Sequence, residues 1–283
     1  MSNSAPAVEE NQLEAYLSFL REQERAPATI RKYRRDLESF RQFLGTAPLT
    51  KALVIAWKER LTESHAPASV NSMLAAVNGF LKFAGLGELC VRPLKIQRCL
   101  FLEERRELTR AEYTRLVEAA RKKENGRLAL VMQTICATGI RVSELKFITV
   151  ESLRSGRAEI RNKGKLRVVF LPGKLRKALK KYAQRQKRTA GAIFITRTGK
   201  PLDRSNIWRD MKSLCESAGV SKEKVFPHNL RHLFARAFYA QEKDLSRLAD
   251  ILGHSSVNTT RIYTAETGST HAAQIERLGL VVT

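Results

Sequence analysis

The chain has 283 residues, a length sufficient for two domains that each bury a core. Hydrophobic residues make up 43% and charged residues 28%, which is typical of a folded globular protein and excludes a largely disordered one. The 51 lysines and arginines outnumber the 28 acidic residues and leave a net charge of +23, which indicates a polyanionic partner.

The sequence pattern argues against a membrane partner and against a secretion signal. No apolar run approaches the ~18 residues that a membrane-spanning helix requires, so we expect no membrane partner. The N-terminal residues lack the cationic and apolar regions of a secretion signal. The four cysteines have no pairing or metal-ligand spacing, so we expect reduced thiols in a cytoplasmic protein that holds no metal.

The positive charge is unevenly distributed along the chain. Residues 1–100 carry 14 basic and 10 acidic side chains, whereas residues 151–200 alone carry 16 basic and two acidic ones. A general solubility surface would explain a moderate excess. So local an excess favours a surface that binds nucleic acid.

The first part of the chain has the periodicity of helices. Apolar residues recur at helical spacing in four segments, which predicts four amphipathic helices. They cover approximately residues 10–24, 28–44, 50–64 and 67–83. The next stretch contains Pro93 and has no sustained period. We therefore expect an all-helical domain at residues 1–90 and an interdomain linker at residues 91–107.

The second part mixes helices with one predicted hairpin. It opens with a capping box, Thr109 followed by Glu112. Helical patterns cover approximately residues 109–122, 127–137, 141–147 and 173–188, and continue from residue 203 to the end. Residues that favour strands flank a turn at Gly164, at 157–161 and 166–171, and a further short strand is allowed at 192–196. The expected fold is mainly α with a small β-sheet, with an α+β second domain at residues 108–283.

Two of the predicted helices carry basic faces that are candidates for binding DNA. The helix at 28–44 contributes Arg31, Arg34 and Arg35. The helix at 173–188 contributes Lys174, Lys177 and Lys181. Lysines and arginines on one helical face can neutralise successive phosphates of a DNA backbone.

Four short motifs in the second domain gather side chains that suit phosphate chemistry. They are TGIRVSEL at 138–145, NKGK at 162–165, HNLRH at 228–232 and LGHSSVNTTRIY at 252–263. Two arginines can clamp the non-bridging oxygens of a phosphate, histidines and a lysine can transfer protons, and a tyrosine hydroxyl can act as a nucleophile. The candidates are Arg141, Lys163, His228, Arg231, His254 and Tyr263.

Each of these residues has an ordinary structural interpretation when it is taken alone. Arg141 could be a surface or capping side chain, and a lysine in a hairpin turn is usually solvated. Tyr263 could belong to the core. The order and spacing of the whole set therefore support the chemistry, and no single member does.

With these motifs in this order, the sequence resembles the tyrosine recombinase family, the integrases and Xer-type recombinases. The resemblance covers nearly the whole chain and implies a SAM-like, core-binding N-terminal domain followed by a catalytic domain. It implies that the phosphate is bound by Arg141 and Arg231, with Glu144 in a supporting role. It also implies that Tyr263 is the nucleophile and Lys163 the general acid, with Lys165 as the alternative in the same turn.

The resemblance also implies a mechanism and a set of partners. A site-specific recombinase would form a 3′-phosphotyrosyl linkage, release a 5′-hydroxyl and require no metal or cofactor. His228 is the candidate base and His254 the candidate hydrogen-bond donor to the phosphate. The expected partner is a double-stranded DNA recombination site held by a homotetramer, in the bacterial cytoplasm and associated with the nucleoid.

Two other functions remain open at this point. A type IB topoisomerase shares this chemistry but relaxes supercoils as a monomer, and a DNA-binding protein without catalysis would use only the basic surface. The integrase-type N-terminal domain and the LGHSS sequence argue against the first. The complete set of six residues argues against the second. The chain is also expected to lack the further arm-binding domain that many phage integrases carry.

The segment after Tyr263 needs a surface on which to dock. Residues 271–280 have an apolar side that includes Ala272 and Ile275, which predicts a short helix. About ten residues are too few for a stable isolated helix in water. The segment either packs on its own domain or, as the resemblance implies, passes to a neighbouring protomer. We therefore treat residues 270–283 as an expected exchange tail.

Overall fold

The computed structural model describes residues 10–96, 106–162 and 165–263, together with residues 273, 275–278 and 280 of the tail. The chain divides into two compact units, Met1–Arg98 and Cys99–Thr283, and each has its own hydrophobic core. Within the described ranges no helix is long and apolar enough to cross a membrane.

Unit 1 consists of the four predicted helices. They are α1 (Glu10–Glu22), α2 (Pro27–Leu44), α3 (Lys51–Ser64) and α4 (Pro67–Phe83). Proline occupies the first turn of α2 and of α4, where its missing N–H costs nothing. Thr50 caps α3 by accepting a hydrogen bond from the Leu53 amide. The core between the helices contains Phe40 and Trp57, whose ring centroids lie 4.9 Å apart.

The start of the predicted linker belongs to unit 1 and packs against α4. The side chain of Asn78 bonds both the amide and the carbonyl of Val91, which is buried. The side chain of Asn71 bonds the amide and the carbonyl of Leu94 in the same way. These contacts satisfy backbone groups that have no ladder partner. Residues 97–105 lie outside the described part of the chain.

Unit 2 contains the remaining helices around one core. They are α5 (Arg110–Lys122), α6 (Gly126–Thr138), α7 (Val150–Ser155), α8 (Gly173–Arg185), α9 (Arg204–Lys212), α10 (Cys215–Ala218), α11 (Pro227–Glu242), α12 (Leu245–Leu252) and α13 (Val257–Thr260). The capping box at Thr109 and Glu112 is present, with both reciprocal hydrogen bonds formed. The mainly helical fold expected from the sequence is confirmed.

The predicted hairpin is present as two antiparallel strands, β1 (Arg157–Asn162) and β2 (Lys165–Phe170). Its inward face places Ala158, Ile160 and Val169 in the core. The turn residues 163–164 lie outside the described part of the chain. The sheet has two strands within the described residues.

The prediction of a further short strand at 192–196 is wrong. Ala192 forms one isolated bridge with Thr149, and Ile195 forms another with Pro201. Because these two bridges join different partners, the segment cannot align with a single neighbouring strand. Gly191 and Gly199, both at positive φ, turn the chain on either side of it.

Candidate active site

The predicted site residues lie at the ends of helices in unit 2. Arg141 immediately precedes a 3₁₀ turn, Val142–Phe147, just after α6 ends. His228 and Arg231 lie in the first two turns of α11. His254 follows the end of α12, and Tyr263 ends the 3₁₀ turn Arg261–Tyr263. Lys163 lies outside the described residues.

Two glycines allow the chain to turn where the motif residues are placed. Gly139 ends α6 and Gly253 ends α12, both in the left-handed conformation, with φ of 66° in each case. A Cβ at Gly139 would lie 2.5 Å from the Phe234 ring. Any residue larger than glycine would therefore meet both backbone strain and a steric clash at this position.

Arg231 joins the ends of these two helices. Its side chain is buried, with 1% of the residue exposed. Nη1 donates to the Gly139 carbonyl at 2.6 Å and Nη2 donates to the Leu252 carbonyl at 2.7 Å. Helix C-termini carry unpaired carbonyls and a partial negative charge. The two helix ends thus stabilise a buried guanidinium without a carboxylate partner at these bonds.

The charge of Arg231 survives this burial. Burial and the neighbouring charge of Arg141 lower the pKa of Arg231 from 12.5 to about 10, while the nearby Tyr263 acts in the opposite direction. The guanidinium therefore remains protonated at neutral pH. It is a fixed cation of the kind that binds a phosphate.

Glu144 connects Arg141 to a second arginine. Its carboxylate is 2% exposed and accepts from the Arg141 amide at 2.8 Å, from Arg141 Nη1 at 3.0 Å and from Arg167 Nη2 at 2.6 Å. Burial alone would raise the pKa of Glu144. The Arg141 amide and the charges of Arg167 and Arg141 outweigh burial and hold that pKa below its ordinary value.

His254 is held by hydrogen bonds at both ring nitrogens. Nε2 lies 2.9 Å from Arg231 Nη2, which can only donate, so Nε2 accepts. Nδ1 then carries the hydrogen and donates to Thr260 Oγ1 at 2.8 Å. Burial and the charges of Arg231, Arg141 and Arg167 lower the pKa of His254 to about 4. The ring is therefore neutral at pH 7.

His228 is also a neutral histidine. Its ring packs edge-on against His232, with centroids 4.6 Å apart, while the residue keeps an exposed surface. Partial burial, with the electrostatic influence of His232 and the positive charges of Arg231 and Arg141, lowers the pKa of His228 to about 4. A neutral imidazole can accept a proton from an approaching hydroxyl.

Tyr263 lies between two histidines and is 3% exposed. Its ring is perpendicular to that of His232 at 4.7 Å and nearly parallel to that of His254 at 5.9 Å. It packs in a small apolar cluster with Ala235 and Leu248. The ring of the candidate nucleophile thus lies against the rings of both histidines.

A cavity of about 570 Å³ opens beside this network. Arg141, Glu144, Arg167 and His254 line it together with the backbone of Gly253. Arg231 and Tyr263 are connected to it through their contacts with His254. The structure therefore brings Arg141, His254, Arg231 and Tyr263 into one connected group, with His228 beside it.

Three residues of this network were not singled out from the sequence. Arg167 lies at a partly buried position of β2, between the exposed Leu166 and Val168. A charge at a strand position whose parity points inward is the signal that could have revealed it. His232 is the second histidine of the HNLRH motif, in which the sequence predicts a role only for His228. No sequence pattern indicates Thr260, because only the fold brings its hydroxyl to His254.

The predicted DNA-binding side chains differ in their surroundings. Arg31 and Arg35 are exposed on α2, whereas Arg34 makes two hydrogen bonds to Glu14 on α1, one of them 2.8 Å long. On α8 all three candidate lysines are exposed and recur at helical spacing on one face. They are Lys174, Lys177 and Lys181. In the part of the chain that the structure describes, no cluster of three acidic, histidine or cysteine side chains could hold a metal ion.

Comparison with known proteins identifies relatives over both units. A family model described as "Phage integrase family" matches residues 106–269, and one described as "Phage integrase, N-terminal SAM-like domain" matches residues 13–86. Tyrosine recombinase XerC of Roseiflexus castenholzii is 32% identical, with 89% of this chain and 88% of the relative covered. Tyrosine recombinase XerA of Pyrococcus furiosus is 29% identical, with 95% and 94% covered.

Among solved structures, a lambda integrase tetramer bound to a Holliday junction shares the fold. Its TM-score is 0.73 at 20% identity, with 93% of this chain and 78% of that chain covered. Because the catalytic family model matches more than half of the chain, and XerC exceeds 30% identity over most of its length, the chain belongs to the phage integrase family of tyrosine recombinases.

Proposed function

We propose that this chain is a site-specific recombinase that cuts and rejoins DNA by transferring a backbone phosphate to Tyr263 and then to a second strand. One observation carries this proposal: Arg141, Arg231, His254 and Tyr263 form one connected network beside a cavity. A phosphodiester gains negative charge on its oxygens as it becomes pentacoordinate, so fixed cations lower the barrier. Arg141 and Arg231 supply those cations.

The histidines have separate roles in the proposed reaction. His228, neutral at pH 7, takes the proton of the Tyr263 hydroxyl. His254 donates a hydrogen bond to the phosphate. In the free protein both of its ring nitrogens are engaged, so donation requires the phosphate to replace the contact with Arg231 and a proton to reach Nε2. The charge of a bound phosphate favours that proton because it raises the pKa of a neighbouring imidazole.

The departing 5′-oxygen is a poor leaving group unless it is protonated. Lys163 in the hairpin turn is the proposed general acid, and Lys165 is the alternative. The products are a 3′-phosphotyrosyl linkage and a free 5′-hydroxyl, and attack by the 5′-hydroxyl of a partner strand reverses the step. The proposed chemistry requires no metal or cofactor.

The proposed assembly is a homotetramer on two double-stranded sites. Lambda integrase, which shares the fold, was solved as a tetramer on a Holliday junction. Residues 1–90 would bind the core of the site, residues 91–107 would link the domains and residues 108–283 would carry catalysis. The proposed place of action is the cytoplasm, at the nucleoid.

The tail at 270–283 is proposed to bind a neighbouring protomer. Three apolar side chains within its described part, Ile275, Leu278 and Leu280, are 58%, 63% and 80% exposed. Exposed apolar side chains on a short helical segment gain free energy when a partner covers them.

The decisive experiment replaces the nucleophile. Tyr263→Phe removes one oxygen, so DNA binding should remain while the covalent protein–DNA adduct on a nicked site disappears. The adduct is measured as a band that survives SDS. Tyr239→Phe is the matched control, because Tyr239 packs against the same apolar cluster. It should form the adduct at the normal rate.

Two outcomes would contradict the proposal. An adduct formed by Tyr263→Phe would place the nucleophile elsewhere. Relaxation of supercoiled DNA by the wild-type protein without pairing of two sites would indicate a topoisomerase.

A further inference from the structure

Arg167 occupies a junction in the site that the proposed mechanism does not use. It lies on β2 with a side chain that is 13% exposed, and it lines the cavity beside Arg141. Its Nη2 donates to Glu144 at 2.6 Å, and its Nη1 donates to the Leu252 carbonyl. One planar guanidinium thus bonds a group that holds Arg141 and a group that precedes His254.

The bond to Leu252 links Arg167 to the second half of the site. The same Leu252 carbonyl accepts a hydrogen bond from Arg231. That carbonyl belongs to the last residue of α12, and the chain then turns through Gly253 to His254. A continuous series of bonds therefore runs from Arg141 through Glu144, Arg167 and the end of α12 to Arg231 and His254.

The packing around Gly253 shows how closely this junction is built. A Cβ at Gly253 would lie 2.6 Å from Arg167 Nη1 and 2.7 Å from its Cδ. The backbone at Gly253 also has a φ of 66°, which favours glycine. The Arg167 side chain therefore lies directly against the turn that presents His254.

We infer that Arg167 is a positioning residue that sets the distance between Arg141 on one side and Arg231 with His254 on the other. This inference rests on the proposed function, in which both arginines bind one phosphate. A planar fork with separate donors holds two partners at a defined spacing, which a lysine ammonium does not. Displacing a reacting group by about 1 Å can cost on the order of 100-fold in rate.

The test uses Arg167→Met and single-turnover cleavage of a nicked site by the full-length protein. DNA affinity should remain nearly normal, because the surface lysines and arginines are unchanged. Cleavage at saturating protein should slow by roughly 100-fold. Arg157→Met is the matched control, since Arg157 is an exposed arginine on the same hairpin, and it should cleave at the wild-type rate.

A methylphosphonate at the cleaved position separates positioning from a general loss of structure. This linkage is neutral, so it depends much less on a correctly spaced pair of cations. The deficit of Arg167→Met should therefore shrink strongly on the methylphosphonate. An equal deficit on both substrates would overturn the inference.

Combining variants tests whether Arg167 acts through Arg141. If it does, Arg141→Ala with Arg167→Met should be little slower than Arg141→Ala alone, because the positioned group is already missing. Full multiplication of the two losses would overturn the inference.

A second variant guards against misfolding. Arg167→Lys keeps a positive charge opposite the buried Glu144. The reduction in its cleavage rate should also be smaller on the methylphosphonate than on the ordinary substrate. Undiminished cleavage by both Arg167 variants, in a protein whose wild type forms the adduct, overturns this inference alone. A wild-type protein that forms no adduct overturns the proposed function as well.

Discussion

At the scale of single residues, the site is a set of cations and neutral histidines whose states are decided by their neighbours. Arg231 stays charged because two helix-end carbonyls accept its hydrogen bonds. His228 and His254 stay neutral because burial and the positive charges of Arg231 and Arg141 disfavour their protonation. The free site is therefore strongly positive and poised to receive an anion.

The neutral histidines predict a pH dependence of stability. The pKa of each is about 4 in the folded chain, against about 6.5 for an unperturbed histidine. Between these values the unfolded chain binds protons that the folded chain does not. The free energy of unfolding should therefore fall as the pH falls from about 6.5 towards 4. Thermal melting of the full-length protein at pH values between about 7.5 and about 5 would measure this fall in the free energy of unfolding.

A variant separates the histidines from other titrating groups. The double variant His228→Gln with His254→Gln should flatten the pH dependence of stability between about pH 7.5 and about pH 5. That range lies above the usual titration of carboxylates. His65→Gln, an exposed histidine of unit 1, should leave it unchanged. An equally steep dependence in the double variant would show that other groups cause it.

At the scale of elements, helix ends and one strand build the site. The C-termini of α6 and α12 point their carbonyls at Arg231, and the 3₁₀ turn after Arg141 places Glu144 in the interior. Strand β2 adds Arg167. The elements therefore bring backbone groups as well as side chains to the proposed phosphate-binding region.

The basic face of α8 predicts the salt dependence of DNA binding. If its three exposed lysines lie on the backbone, replacing all three by glutamine should reduce the log–log slope of affinity against salt by up to about 2.7, since each phosphate contact contributes about 0.9. The variant is Lys174→Gln, Lys177→Gln and Lys181→Gln. Fluorescence anisotropy at several salt concentrations would measure the slope.

The matched control removes the same charge from elsewhere on unit 2. Lys122, Lys200 and Lys222 are exposed outside α8, and replacing them by glutamine should change the slope much less. Equal changes in the two triple variants would show that net charge, and not the face of α8, determines the affinity.

At the scale of the whole molecule, the chain contains two units with separate cores. The proposed function assigns catalysis to the second unit. The tail follows Tyr263, the proposed nucleophile, and its apolar side chains Ile275, Leu278 and Leu280 are exposed. In the proposed homotetramer, several protomers exchange strands between two sites. The exposed tail is the natural candidate for a contact between them.

Deleting residues 270–283 tests that role. The truncated protein should bind a single site almost normally, because the basic surfaces remain. Pairing of two sites and recombination should weaken because a contact between protomers is lost. Native gel electrophoresis with one and two sites would measure both. Full assembly and recombination without the tail would contradict exchange, as would unfolding of the truncated protein.

A point variant distinguishes the apolar contact from the length of the tail. Leu278→Asp should reproduce the assembly defect, because it places a charge in the proposed interface. Glu276→Gln is the control at a neighbouring exposed position and should assemble normally.

The four helices of unit 1, most helices of unit 2, the hairpin and the family can be predicted from the sequence alone, whereas the short helix α7 was not predicted. Helical periodicity, the capping box at Thr109 and the β-forming runs around Gly164 are local patterns, and local patterns act over a few residues. The expected site residues were also visible as motifs in a defined order. The extra strand at 192–196 failed because pairing depends on a partner that the local pattern does not contain.

Which charged side chains have partners depends on the tertiary structure. Arg231 bonds a carbonyl 92 positions away, and Arg167 bonds one 85 positions away. Arg34, expected on DNA, is held by Glu14 of another helix. These contacts join residues that are distant in sequence, so no periodicity encodes them. The free energy of each contact depends on how deeply the charged group is buried and on which partner the fold brings to it. Burial and partner exist only once the chain has folded.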